Sequence, residues 1–301
     1  MVLVTPTERG RLRHAARVEL RIGGAESNVA IALARLGISA GWVSWLGMDE
    51  LGELVLHRVR GEGVDTSQVR RIEGAPTGLY VRERLGDGVR VYYYRAGSAA
   101  SRMAPLGFDP AYLDTARIFH ITGVTPALSP SCREFTLWAI QEARRRGVRV
   151  TFDVNYRSRL WPPETARAFV EEVAPWVDVL FVSGDEAQAL WGTRDVLAPL
   201  AERGPSEVVL MQGKEGAIAR VQGQVFSHPA FPVPEVDPIG AGDAFVAGYL
   251  AGFLWGLAPE EQLRVACAMG AFSVMTLGDY EGLPSYQELW AFINGERILG
   301  R

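Results

Sequence analysis

Glu207-Val208-Val209-Leu210-Met211 is the last of four short β-like runs that alternate with helical stretches. The others are Arg117–Ile121, Val148–Val154 and Val177–Val182, and the helical patterns between them cover Arg133–Arg146, Pro163–Val173 and Asp185–Trp191. This is the pattern of a parallel sheet covered by helices. Upstream, Glu26–Leu36 reads as a helix stopped by Gly37, and Trp42–Leu46 as a strand. Asp49–Arg60 is an amphipathic helix with Leu51, Leu54, Val55 and Val59 on one side. Downstream, Ala241–Trp255, Pro259–Thr276 and Pro284–Asn294 read as helices.

A second pattern interrupts the first. Leu79–Arg84 and Val89–Arg95 alternate with period two and are joined by Gly86-Asp87-Gly88, which predicts a hairpin. Arg17–Ile22 alternates in the same way. These three strands are expected to form a small sheet apart from the main core. The period-two rule puts Tyr93 and Arg95 on one face of the hairpin and Tyr92 and Tyr94 on the other. Ordinary strand propensity explains the tyrosines but says less about Arg95.

The chemistry-bearing stretch is Asp237-Pro238-Ile239-Gly240-Ala241-Gly242-Asp243, just before an apolar helical run. A glycine turn opening a helix presents free backbone N–H groups, and the helix dipole favours an anion there. Asp243 adds a carboxylate beside that anion site. Phosphoryl transfer to a hydroxyl needs both parts: a cradle for the phosphoryl group and a base for the proton. Packing glycines at a helix start would give the same letters. A dinucleotide site fits poorly, because Gly240-Ala241-Gly242-Asp243-Ala244-Phe245 lacks the third glycine of GxGxxG.

Three further stretches carry polar groups at expected strand ends or helix starts. Gly23-Gly24-Ala25-Glu26-Ser27-Asn28 offers close backbone approach and, in Asn28, a donor and an acceptor suited to sugar hydroxyls. Asp153-Val154-Asn155-Tyr156-Arg157 stands at the C-terminal end of a strand, the edge where open α/β sheets bind ligands. Ser183-Gly184-Asp185-Glu186 follows a strand and opens a helix, which capping alone explains.

Composition removes several classes. The chain has 301 residues, 48% hydrophobic, enough for one large α/β domain or two small ones. A formal charge of -4 with interspersed signs leaves no basic nucleic-acid face. Cys132 and Cys267 form no CxxC pair, so a reducing cytosol is expected. Met1–His14 has no signal-peptide core, and Ala244–Leu257 is shorter than the roughly 20 residues a membrane span needs. Lys214 is the only lysine. It lies in Gln-Gly-Lys-Glu-Gly, which is no Walker A loop and no setting for a desolvated Schiff-base amine.

Together these residues resemble the ribokinase-like (PfkB) carbohydrate kinase family. Gly23-Gly24, Asn28, Ala30, Gly37 and Gly47 follow the spacing of its N-terminal signature. Asp237 to Asp243, running on to Gly248, follow its C-terminal one. The resemblance spans essentially the whole chain. It implies an α/β fold with a doubly wound, mostly parallel sheet flanked by helices. It also implies a single kinase domain over residues 1–301, whose lid strands lie within about 12–23 and 77–97.

Within the family the likeness is greatest to the branch that phosphorylates 2-keto-3-deoxygluconate. Gly78-Leu79-Tyr80, Tyr93-Tyr94-Arg95-Ala96-Gly97-Ser98-Ala99 and Gly278-Asp279-Tyr280-Glu281-Gly282 carry it, together with the stretches from Gly24 and Asp153. A carboxylate substrate needs a cation, and arginine suits bidentate pairing with it.

The resemblance implies that Asp243 is the catalytic base and that the N–H groups of Gly240, Ala241 and Gly242 stabilise the transferring phosphoryl. It implies that the sugar acid meets Gly24, Ala25, Glu26, Ser27, Asn28, Tyr80, Tyr93, Arg95, Arg157 and Asp279. ATP would meet Asn155, Tyr156, Arg157, Gln212, Gly213, Lys214 and Gly216, with Gly240 and Gly242. Glu186 would act on Mg²⁺ through water.

The alternatives are a kinase for fructose, ribose or a different sugar acid, or a catalytically silent sugar-binding homologue. Neither a nucleic acid nor a membrane is expected as a partner. A homo-oligomer is expected, because the lid sheet would expose an apolar face. Three positions depart from the family pattern: Ser183 for the usual Asn of NxxE, Met211 for a polar residue and Cys267 for Asn. The family's core also opens with a strand that precedes the residues seen here. Met1 onward reads as the end of that strand, which implies a misassigned start, a cut sequence or a missing central strand.

Overall fold

The computed structural model describes residues 1–85 and 88–296. Gly86 and Asp87 of the expected hairpin turn, and residues 297–301 of the expected domain, lie outside the described residues. The first half contains β1 (Val2–Pro6), β2 (Val18–Ile22), α1 (Ala25–Arg35), β3 (Ser44–Gly47) and α2 (Glu50–Gly61). Then come β4 (Val69–Ile72), β5 (Leu79–Leu85) and β6 (Gly88–Tyr94). The middle runs β7 (Ile118–Thr122), α3 (Val124–Ala127), α4 (Pro130–Arg145), β8 (Arg149–Asp153), α5 (Pro163–Val173) and β9 (Val179–Ser183). Next follow α6 (Gly184–Trp191), α7 (Leu197–Ala201), β10 (Glu207–Met211), β11 (Ala217–Val221) and β12 (Gln224–His228). The chain closes with α8 (Ala241–Leu254), α9 (Pro259–Val274) and α10 (Tyr286–Ile293).

The main sheet has the order β12-β11-β10-β9-β8-β7. β7 to β10 are parallel, whereas β11 and β12 add an antiparallel edge. Successive side chains of a strand point to opposite faces, and here each face meets its own core. Val179, Phe181 and Val209 pack with α1, α2, α8 and α9. Leu180, Val182, Val208 and Leu210 pack with α4, α5, α6 and α7. The sheet is therefore covered on both sides, as the alternating pattern requires. No helix among the described residues is long and apolar enough to cross a membrane.

The small sheet has four strands rather than three, in the order β2-β1-β5-β6. β1 is its unexpected member. It pairs antiparallel with β2 and parallel with β5, and Val2 and Leu3 are fully buried. Its five residues are too short for period two to show. Hence Val2–Pro6, expected as the end of a core strand, belongs to the small sheet instead.

β3 pairs with β4, and β7 with β8, and neither has a second strand partner among the described residues. Trp42 to Ser44 on one side and Ile118 to Ile121 on the other line one continuous cavity.

Candidate active site

That cavity, of about 1280 Å³, opens along the C-terminal ends of β7, β8 and β9 and the start of α8. It sits where a parallel sheet presents its binding edge. Gly240 precedes α8 with φ +83, and no side chain caps the helix. Only glycine takes that φ freely, and a Cβ there would also overlap the Asp279 carbonyl oxygen. At Gly242 an added Cβ would meet no protein atom within 4 Å, so the space is open to a ligand. The Gly242 and Asp243 N–H groups find no acceptor among the described residues. The turn is thus an uncapped helix start facing a cavity, the arrangement that binds anions.

Asp243 stands in the first turn of α8 and lines the same cavity. Its Oδ2 accepts a hydrogen bond from Asn28 Nδ2 at 2.7 Å. Asn155 Nδ2 lies 3.5 Å from Oδ1 and also donates to Asp153 Oδ2 at 3.0 Å. Asn155 has φ +39, a left-handed conformation that a non-glycine residue holds only when its surroundings enforce it. Burial pushes the Asp243 carboxyl up to about 7, against the pull of the Asn28 hydrogen bond and of Arg157. A base with that affinity suits proton abstraction near neutrality. We therefore expect kcat/KM of the free enzyme to rise with pH through about 7, as Asp243 loses its proton. A profile flat from pH 5 to pH 8, measured at subsaturating substrate, would exclude Asp243 as that base.

Glu186 places both carboxylate oxygens on backbone: Oε1 accepts from Tyr156 N at 2.7 Å and Oε2 from Ser183 N at 2.8 Å. It closes a capping box with Ser183, so the Ser-for-Asn change still caps α6. Glu186 lines the cavity with these oxygens already engaged, which suits contact with a hydrated ion better than direct ligation. No group of three or more His, Cys, Asp or Glu among the described residues forms a metal cage. With its oxygens engaged, Glu186 fits a Mg²⁺ carried in on phosphates with most of its waters kept.

The opposite wall comes from the small sheet. Tyr80 stacks on Tyr93, with ring centroids 5.8 Å apart, and its hydroxyl donates to Asp279 Oδ2 at 2.8 Å. Gly23 passes so close that a Cβ would overlap both the Tyr80 hydroxyl and the Asp279 carboxylate. Arg95 lies over the Tyr93 ring, 4.2 Å from its centroid, and is only 9% exposed. Burial and the neighbouring Arg157 both disfavour its charge. Neither arginine forms an ion pair among the described residues, and both line the cavity. A buried guanidinium without a carboxylate is costly, and the cavity is where its partner can enter.

Of the expected site residues, the cavity brings together Gly24, Ala25, Glu26, Ser27, Asn28, Tyr80, Tyr93, Arg95, Asn155, Arg157, Glu186, Gly240, Gly242, Asp243 and Asp279. Glu26 also serves the fold, since its Oε1 accepts from the hydroxyls of Thr122 and Thr125, each at 2.8 Å. Ala241, Tyr156, Gln212, Gly213, Lys214 and Gly216 lie outside the lining. Lys214 is mostly exposed, 3.0 Å from Glu235, in the turn between β10 and β11.

Sequence reasoning gave Asp153 no role of its own. It is 2% exposed, its Oδ1 has no partner, and burial beside Glu186 and Asp243 raises its pKa. Its place at the end of an apolar strand was the available signal.

The profile of the pfkB family carbohydrate kinases matches residues 1–285. The chain is 38% identical to 2-dehydro-3-deoxygluconokinase of Thermoproteus tenax, covering 95% of this chain and 88% of that protein. It is 34% identical to 2-dehydro-3-deoxygluconokinase of Bacillus subtilis, covering 99% and 94% respectively. Among solved structures, 2-dehydro-3-deoxygluconokinase of Thermotoga maritima superposes with a TM-score of 0.90 at 28% identity, over 98% of this chain and 96% of that one.

Proposed function

The chain belongs to the pfkB family of carbohydrate kinases, and from that premise we propose that it transfers the γ-phosphoryl group of ATP to the terminal hydroxyl of 2-keto-3-deoxygluconate. The product is the 6-phosphate. The observation that carries the acid-sugar reading is Arg95, a buried cation with no carboxylate partner among the described residues, facing the cavity beside Arg157. The names of the relatives above point to the same acceptor.

The chemistry follows from the residues. Arg95 and Arg157 hold the carboxylate, and Tyr80 and Asp279 flank the sugar. Asn28 fixes the rotamer of Asp243 by its hydrogen bond. Asp243 takes the proton of the terminal hydroxyl as that oxygen attacks the γ-phosphorus. The bond to the β–γ bridging oxygen breaks and ADP leaves. The open N–H groups of Gly242 and Asp243 meet the charge on the transferring phosphoryl. Mg²⁺ bound with the nucleotide would neutralise phosphate charge, with Glu186 holding its water shell. The small sheet acts as the lid of a single kinase unit and excludes water from the cavity.

Phosphorus and proton NMR of the product tests the reaction. The reading requires one ADP per sugar acid and a phosphate coupled to the terminal CH₂. A phosphate on any other oxygen contradicts it.

The outer face of the lid supports self-association. The register places Val18, Leu20, Tyr92 and Tyr94 on one face, opposite the cavity-facing Tyr80 and Tyr93. They are 45%, 44%, 39% and 64% exposed. A contiguous apolar sheet face of this kind is covered most simply by a second copy. Leu20→Glu combined with Tyr94→Glu is expected to shift a dimer to monomer in sedimentation velocity. A wild-type protein that sediments as a monomer at micromolar concentration contradicts the proposal. Two buried free cysteines and an ATP-dependent reaction fit a cytoplasmic enzyme.

A further inference from the structure

Arg82 lies on β5, two residues beyond Tyr80, and is 2% exposed. It does not line the cavity. Its Nη1 is 3.0 Å from Asp237 Oδ2 and 3.8 Å from Asp279 Oδ1. Both partners brace the anion turn. Asp237 opens the turn: its Oδ1 accepts from Ile239 N and its Oδ2 from Gly278 N, each at 3.3 Å. That carboxylate therefore ties the turn to the Gly278–Asp279 loop. The loop's Asp279 carbonyl lies against Gly240, and its side chain holds the Tyr80 hydroxyl. One buried guanidinium thus joins the small sheet to both segments that shape the phosphoryl site.

The pairing is incomplete. Arg82 Nε and Nη1 and Asp279 Oδ1 are buried without a hydrogen-bond partner, all in the same place. An ion pair buried in this way contributes little to stability and is often replaceable by apolar residues. Stability alone is therefore a weak reason for it. Electrostatics supplies a stronger one. Without Arg82, the two carboxylates beneath the turn would repel the charge that the turn must hold. Closing the 3.8 Å between Arg82 Nη1 and Asp279 Oδ1 would give both of those atoms a partner.

We propose that Arg82 is a positioning residue for phosphoryl transfer, which couples closure of the small sheet to the Asp237–Gly240 turn through Asp237 and Asp279. This rests on the kinase reading above.

The test uses the intact protein as Arg82→Met, Arg82→Lys and the charge-balanced double variant Arg82→Met/Asp237→Asn. Steady-state kinetics in both substrates and thermal midpoints are measured for each. Arg82→Met is expected to lose about 100-fold in kcat, the scale of a small misplacement at a reacting centre, with KM for the sugar acid little changed. Methylguanidinium is expected to restore part of that kcat, and Arg82→Lys to fall between Met and wild type. The double variant is the folding control: it should melt close to wild type yet stay slow.

Wild-type kcat in the folded variants overturns the proposal. So does a loss confined to KM for the sugar acid, or the absence of methylguanidinium rescue. Failure of the kinase reading itself would show separately, as no sugar-dependent ADP from the wild-type protein.

Discussion

Asp243→Asn is expected to lower kcat by about 10²–10⁴-fold, the usual worth of a general base, without lowering the melting temperature at pH 8. The second half follows from the first cause. Burial raises the folded-state pKa from the ordinary 3.8 to about 7, so the folded protein binds a proton that the unfolded chain has released. Between those values stability falls as pH rises, because ionising Asp243 in the folded state opposes desolvation. Asparagine carries no charge, and its carbonyl can still accept from Asn28 Nδ2. Its melting temperature should match or exceed wild type at pH 8, and the difference should vanish near pH 4. Circular dichroism melts at the two pH values, beside ADP release, check both halves. A variant that keeps turnover, or is destabilised at pH 8, contradicts the role given to this carboxylate.

Arg95→Ala carries the second large effect. Truncating one partner of a buried charge pair typically removes about 2–5 kcal/mol, so kcat/KM for the sugar acid should fall by about 30-fold or more. A neutral sugar offers Arg95 no carboxylate, and its kcat/KM should change little. The unliganded protein should melt no lower, since the substitution removes a buried cation that has no ion-pair partner among the described residues. Arg95→Lys should rescue poorly, because an ammonium keeps the charge but loses the fork and the stack over Tyr93. Equal losses with acid and neutral sugars would detach Arg95 from carboxylate recognition.

The sequence made the parallel sheet legible because β8, β9 and β10 are apolar runs with amphipathic helices between them. It made the anion turn legible only beside Gly23-Gly24 and Asn28, because packing glycines at a helix start would give the same letters. The edge strands β11 and β12 and the short β4 carried no such pattern, and their pairing is set by tertiary packing rather than local preference.

The site was legible by segment but not by contact. Asn28 and Asp243 are 215 residues apart in sequence, and no periodicity links them. Only the resemblance put them in one site. Arg82 was illegible for another reason: a charged residue on an alternating strand reads as solvent-facing. Its burial depends on Asp237 and Asp279, both more than a hundred residues downstream. Asp153 was hidden in a similar way, at the end of a strand whose other residues are core.

The measurement that bears most directly on the central claim is kcat/KM for ADP release across 2-keto-3-deoxygluconate, gluconate, fructose and ribose. The unpaired Arg95 beside Arg157 predicts that the keto-deoxy acid exceeds both neutral sugars by orders of magnitude. Fructose or ribose matching or exceeding it would contradict the assignment.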